Sequence, residues 1–257
     1  MSADLKKLVE DSGMITHYKT MKALEKRLWP FLVSPYYYDH IGENIREMDL
    51  IAERQFCSAD RPSHSTAQVN MQLFIECKYI KQEIVFLFNK INKSRAVSSL
   101  ERESELVLAD KRSGDILPTD FHYIDNGGLV AKLFSANTNK EDVIYKAISQ
   151  CLHALLSYRS DIKKPIFHEF NGRSEVNSRI IQYPIIVCDN FEKLTRITFD
   201  EQIQFSVEKM DPAFLLEVDY RGDYFLIDVV DINYLATFLD KMEDEAGRIV
   251  KALSFRR

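Results

Sequence analysis

The chain has 257 residues, 46% hydrophobic and 11% aromatic, with a formal net charge of −5. That is ample for a sizeable core, and the acidic balance argues against a protein that coats nucleic acid without specificity, since such proteins carry a basic excess. No run approaches the ~18 uninterrupted apolar residues of a membrane span, and the opening MSADLKKLVED lacks the apolar stretch of a secretory leader. The four cysteines, Cys57, Cys77, Cys151 and Cys188, form no CxxC pair, and the six histidines show no zinc-ligand spacing. They read as reduced core cysteines of a cytoplasmic protein.

Ala3 to Glu10 reads as a short lead-in helix. Ile15, Tyr18, Met21, Leu24 and Leu28 then recur with helical period until Pro30 disturbs it. Glu25 stands at the margin of that stripe, and Trp29 is placed to pack the helix on a sheet. Ser34 to His40, rich in tyrosine, reads as a first strand, with a turn over Ile41 to Asn44. Ile45 to Phe56 reads as a second strand, with Met48, Leu50 and Ala52 on one face and Glu47, Asp49, Ile51 and Glu53 on the other. A polar loop leads to Val69–Tyr79, where alternation is strict: Val69, Met71, Leu73, Ile75, Cys77 and Tyr79 against Asn70, Gln72, Phe74, Glu76 and Lys78. If the two strands are neighbours, Asp49 lies beside Glu76. Two adjacent carboxylates repel unless a cation joins them, and oxygen-only ligation suits Mg²⁺ or Mn²⁺.

Asp49, followed twenty-seven positions later by Glu76-Cys77-Lys78, resembles the PD-(D/E)xK nuclease superfamily with its restriction-endonuclease-like fold. The order of elements from about 14 to 189 is similar to that family's αβββαβ core. Met48 stands where the motif's Pro would be. The resemblance implies an α/β fold with a mixed central sheet flanked by helices. It also implies a metal held by Asp49, Glu76 and the backbone carbonyl of Cys77, with Lys78 handling water and phosphate. Glu25 is either an extra acid of that site, as in some branches of the superfamily, or a solvated surface residue.

Beyond Tyr79, Lys81 to Ile91 is apolar enough for strand or helix. Residues 92–125 are polar and charge-dense, longer than a core loop, and read as an insertion. Asn126-Gly127-Gly128 is a plain turn. Glu141 to Tyr158 is a helix with Ile144, Ala147, Ile148, Cys151, Leu152 and Leu155 on its apolar face, and Lys146, Gln150 and His153 together on another. Gln150 resembles the polar residue that the family's second core helix turns to the active site, although Ala154 departs from the Gln-then-Tyr spacing of the RecB-like branch. A solvated face is the other reading. Residues 161–178 carry Lys163, Lys164 and Arg173, either a phosphate-contacting stretch together with Lys146 or an ordinary solvated loop. Ile180 to Cys188 is a continuous apolar run, as a buried central strand reads. The remainder, 191–257, reads as an extension: two strands about the turn Arg221-Gly222-Asp223, Asp231 as an N-cap, then an amphipathic helix from Tyr234 to Leu253 that packs on the core or covers a dimer interface.

These readings lead to one α/β domain acting as a divalent-metal-dependent nuclease, with Mg²⁺ or Mn²⁺ as cofactor and nucleic acid, DNA favoured, as substrate. A homodimer or a partner protein is compatible with the final helix, and no membrane is involved. Two rivals stand beside it: a catalytically silent nuclease-like binding or assembly subunit, and a half-buried salt-bridge network in an ordinary α/β protein.

Overall fold

A computed structural model describes residues 8–9, 12–58, 67–104, 118–125, 128–134, 143–160, 166, 178–199 and 202–255. The architecture is mixed α/β, a central sheet flanked by helices. Its strands are β1 (Phe31–Val33), β4 (Leu50–Cys57), β5 (Gln68–Tyr79), β6 (Ile84–Lys90), β7 (Leu129–Phe134), β8 (Ser178–Asp189), β9 (Leu194–Phe199), β10 (Phe205–Lys209), β11 (Ala213–Tyr220) and β12 (Asp223–Asp231). They lie in the order β1-β4-β5-β8-β12-β11-β7-β6-β9-β10, and β2 (Tyr36–Asp39) and β3 (Asn44–Glu47) form a separate hairpin. β5 is antiparallel to β4 and parallel to β8, which in turn is parallel to β12.

Helices α1 (Met14–Lys26), α2 (Lys93–Ser104) and α5 (Leu235–Phe255) cover one face of the sheet. Helix α4 (Val143–Ser160) and the β2–β3 hairpin cover the other. A short helix, α3 (His122–Asp125), joins the first layer. β5 sits between the two layers and shows why its alternation is so regular. Val69, Met71, Leu73, Ile75 and Cys77 enter the α1–α5 core, and Phe74 enters the α4 core. Both faces are covered, so the polar residues of the second face, Asn70, Gln72 and Glu76, are buried as well.

Several expectations are corrected. The first strand of the sheet after α1 in the chain is Phe31–Val33, and the tyrosine-rich segment belongs to the hairpin instead. The expected strand 45–56 breaks at Met48–Asp49, between β3 and β4. The break sends Met48 into the α4 core while Leu50 and Ala52 enter the α1–α5 core, so Met48 does not share their face. The expected insertion at 92–125 holds α2 and α3, and residues 105–117 lie outside the described residues. The C-terminal hairpin, β11–β12, turns at Arg221-Gly222 as expected, but β12 pairs with β8 and so lies within the central sheet. Strands β7, β9 and β10 had no counterpart in the sequence reading. Asp231 accepts a hydrogen bond from the Asn233 N–H and shapes the turn before α5 rather than capping the helix itself. Cys77, Cys151 and Cys188 are buried thiols, whereas Cys57 is exposed at the end of β4, where the sequence reading had placed it in the core. No described helix is long and apolar enough to cross a membrane.

Candidate active site

β4 ends its pairing at Leu50, opposite Ile75 of β5. Continuing that register places Asp49 across from Glu76, and the side chain of Asp49 takes over where the ladder stops. Its Oδ2 accepts the Cys77 N–H at 2.7 Å, while the Asp49 N–H reaches Glu76 Oε1 at 3.4 Å. Each strand thus donates one backbone N–H to a carboxylate carried by the other.

Lys78 follows Glu76 on the same face. Its ammonium donates to Glu76 Oε2 at 2.6 Å and to Gln150 Oε1 of α4 at 3.2 Å, and lies 3.8 Å from Asp49 Oδ2. Gln150 reaches it because α4 packs its apolar stripe on β5 and β8, leaving this polar position at the edge of the contact. Glu76 is wholly buried, Lys78 keeps 16% of its side-chain exposure and Asp49 keeps 32%, so the cluster is open on the Asp49 side.

The electrostatics follow from that burial. Desolvation pushes the Glu76 carboxyl up, to about 7; Lys78 opposes the rise and Asp49 adds to it. Burial works against the charge on Lys78, but Glu76 and Asp49 outweigh it and its pKa moves up. With both acids ionised, one ammonium faces two carboxylates, and one negative charge is left over.

Two carboxylates converging on one cation form a hard-oxygen donor set of the kind Mg²⁺ and Mn²⁺ take. The Oδ1 of Asp49 has no hydrogen-bond partner among the described residues, which leaves an oxygen for a ligand. The excess negative charge and the raised pKa of Glu76 fit a divalent cation here. Among the described residues no group of three or more His, Cys, Asp or Glu is gathered to hold a metal.

Of the other residues singled out in the sequence, Lys146 is exposed on α4, one turn before Gln150. Glu25 is not brought to the cluster: it lies two turns beyond His17 on α1, is 45% exposed and pairs with Lys22 at 2.7 Å. Lys163, Lys164 and Arg173 lie outside the described residues.

The structure adds neighbours the sequence did not suggest. His17 Nε2 lies 3.0 Å from the Asp49 carbonyl oxygen, and Lys19 pairs with Asp189 at 2.8 Å at the end of β8. α1 starts hard against the site: Gly13 has φ +78°, and a Cβ there would lie 3.5 Å from the Cys77 carbonyl oxygen. Deeper on the Glu76 face, Glu53, Gln72 and Gln182 form a buried row across three strands, with Gln72 donating to Glu53 at 2.7 Å and Gln182 donating to Gln72 at 2.9 Å. His153, grouped by helical spacing with Lys146 and Gln150, is buried and bridges Asp39 at 2.6 Å and the Tyr220 hydroxyl at 2.8 Å. Burial opposes the charge on Asp39, but hydrogen bonds from His153, two backbone N–H groups and Arg46 hold its carboxyl well below the usual range.

No protein-family model, curated protein or solved structure matches the chain.

Proposed function

We propose that the chain is a divalent-metal-dependent nuclease of the PD-(D/E)xK type, hydrolysing phosphodiester bonds of nucleic acid, with DNA the favoured substrate. The observation that carries this reading is the convergence of Asp49 and Glu76 on Lys78, with Gln150 of α4 on the same ammonium. With the β2–β3 hairpin and the segment from β6 to β7 set aside as additions, α1, β1, β4, β5, α4 and β8 follow the αβββαβ succession implied by the motif, with Asp49 just before the second strand and Glu76 and Lys78 on the third, which supports the reading.

A bound Mg²⁺ or Mn²⁺ would supply Lewis-acid polarisation of the phosphate and a lowered pKa for attacking water. Asp49 and Glu76 would hold that cation through oxygen. Lys78 orients the attacking water and offsets charge that develops on the phosphate oxygens. Gln150 fixes the ammonium of Lys78, and burial of Glu76 excludes bulk water from the inner side.

The test is cleavage of DNA and RNA substrates with EDTA, Mg²⁺ and Mn²⁺. Wild type is expected to cut with metal. Asp49→Ala, Glu76→Ala and Lys78→Ala are each expected to lose cutting by at least about a hundredfold, roughly the scale of removing one transition-state donor, with unchanged circular dichroism. Full activity in Lys78→Ala would overturn the assignment.

A further inference from the structure

On the opposite face of the sheet from Glu76, between β12 and α5, lies a cavity of about 230 Å³ lined in part by His122, Asp211, Asp228, Tyr234, Phe238 and Lys241. Its polar floor is a buried cluster that the proposed hydrolysis does not use. His122 Nε2 lies 3.1 and 3.2 Å from the two oxygens of Asp228, and Nδ1 lies 2.7 Å from Glu245 Oε2. The other oxygen of Glu245 accepts from the Tyr183 hydroxyl.

Burial opposes a charge on His122, but Asp228 and Glu245 outweigh it and hold the ring's pKa up at about 10, so at neutral pH the ring is an imidazolium whose two nitrogens both donate. With both acids ionised, one imidazolium between them leaves one negative charge over, and Lys241 is a further cation on the cavity lining. Asp228 is 3% exposed, and its burial pushes the carboxyl up even with His122 beside it. Nearer solvent, Asp211 stands 3.6 Å from Arg196 and is offset by it. The walls are aromatic, and one already carries a cation: the exposed Lys241 ammonium lies 5.3 Å from the centroid of the Tyr234 ring.

We propose that this cavity binds a small organic cation, a short-chain alkylammonium, with its ammonium on Asp228 and its carbons against Tyr234 and Phe238. Lys241 occupies the same aromatic wall and competes with the ligand. This inference is independent of the nuclease reading, since the two sites share no residue.

The experiment is titration of the full chain at pH 7.5 with n-butylammonium, 1-butanol and butyrate, followed by chemical-shift changes. Butylammonium is expected to bind, and the neutral and anionic isosteres are not. Asp228→Asn is expected to weaken binding by about tenfold, the loss of one charge-assisted hydrogen bond. Tyr234→Leu is expected to weaken it about threefold, and Lys241→Met to tighten it. The proposal is overturned if butanol binds as well as butylammonium, if butylammonium does not bind, or if Tyr234→Leu retains wild-type affinity. Should Asp228→Asn fail to fold, the isostere comparison and Tyr234→Leu decide the matter.

Discussion

Glu76 is the residue on which the candidate site turns. Its carboxyl is pushed up to about 7, chiefly by burial, whereas an unfolded glutamate titrates near 4.5. A raised folded-state pKa means that its contribution to stability is fully present below about 4.5 and is lost as pH rises through about 7, at no more than about 1.4 kcal/mol per pH unit. Thermal denaturation between pH 5 and 8 without divalent metal should therefore show Glu76→Gln gaining on wild type as pH rises. A constant gap would contradict the burial argument. Because a cation has to displace the Glu76 proton, Mg²⁺ should stabilise wild type more at pH 8 than at pH 6. The positions of Asp49, Glu76, Lys78 and Gln150 were legible in the sequence for a simple reason. Period-two alternation fixes which residues of β5 share a face, and helical spacing narrows the α4 candidates to Lys146, Gln150 and His153, of which Gln150 reaches Lys78. Glu25 stayed open between the site and solvent because the same helical period cannot say how far along the sheet each turn lies, and it ends beside Lys22, 45% exposed. His122 carried no signal at all: it sits in a polar stretch, and its partners come from positions 228 and 245.

Elements are placed by details finer than hydrophobic period. A continuous strand over 45–56 is the natural reading of that sequence, yet the chain breaks at Met48–Asp49. Met48 N–H donates to the Pro35 carbonyl and Ser34 N–H to the Asp49 carbonyl, which ties the break to the entry into the β2–β3 hairpin. That break releases the Asp49 carboxylate to cap Cys77, so the departure from regular strand is what builds the site. The start of α1 depends on Gly13, whose left-handed φ a residue with a Cβ adopts only at a cost. Gly13→Ala should lower stability by about 1 kcal/mol, a fall in Tm of roughly 2–4 °C for a chain of this size. Its Cβ would meet the Cys77 carbonyl only at ordinary contact distance, so the loss should be backbone strain alone and cleavage at low temperature should survive. The β11–β12 turn was readable because Arg221-Gly222 joins two strongly apolar runs, and both residues take positive φ.

At the scale of the whole molecule, the C-terminal quarter is wired into the sheet rather than appended to it. β12 lies beside β8, and α5 packs on the same face as α1. Pairing between β8 and β12, across 43 residues at Ile185 and Asp228, leaves no mark in local sequence pattern, which is why an extension was expected there. His122 joins these parts: it ties the segment 118–125 to β12 through Asp228 and to α5 through Glu245. Burial alone would lower its pKa, but Asp228 and Glu245 outweigh that and hold it near about 10. Its stabilising charge is thus fully present below 6.5 and lost as pH rises through about 10. His122→Gln should destabilise by roughly 3–5 kcal/mol near pH 7 by stranding two buried carboxylates. The gap to wild type should narrow toward pH 10, and chemical denaturation at the two pH values checks both the size and the sign.

The central claim is that Asp49 and Glu76 form a cation site served by Lys78. Mn²⁺ titration of the full chain at pH 8, followed by electron paramagnetic resonance, tests it most directly. The account predicts Mn²⁺ binding in wild type that is abolished in Asp49→Ala while circular dichroism stays unchanged. Mn²⁺ binding that is absent in wild type, or that survives undiminished in Asp49→Ala, would contradict it and leave the two carboxylates as a structural ion-pair network.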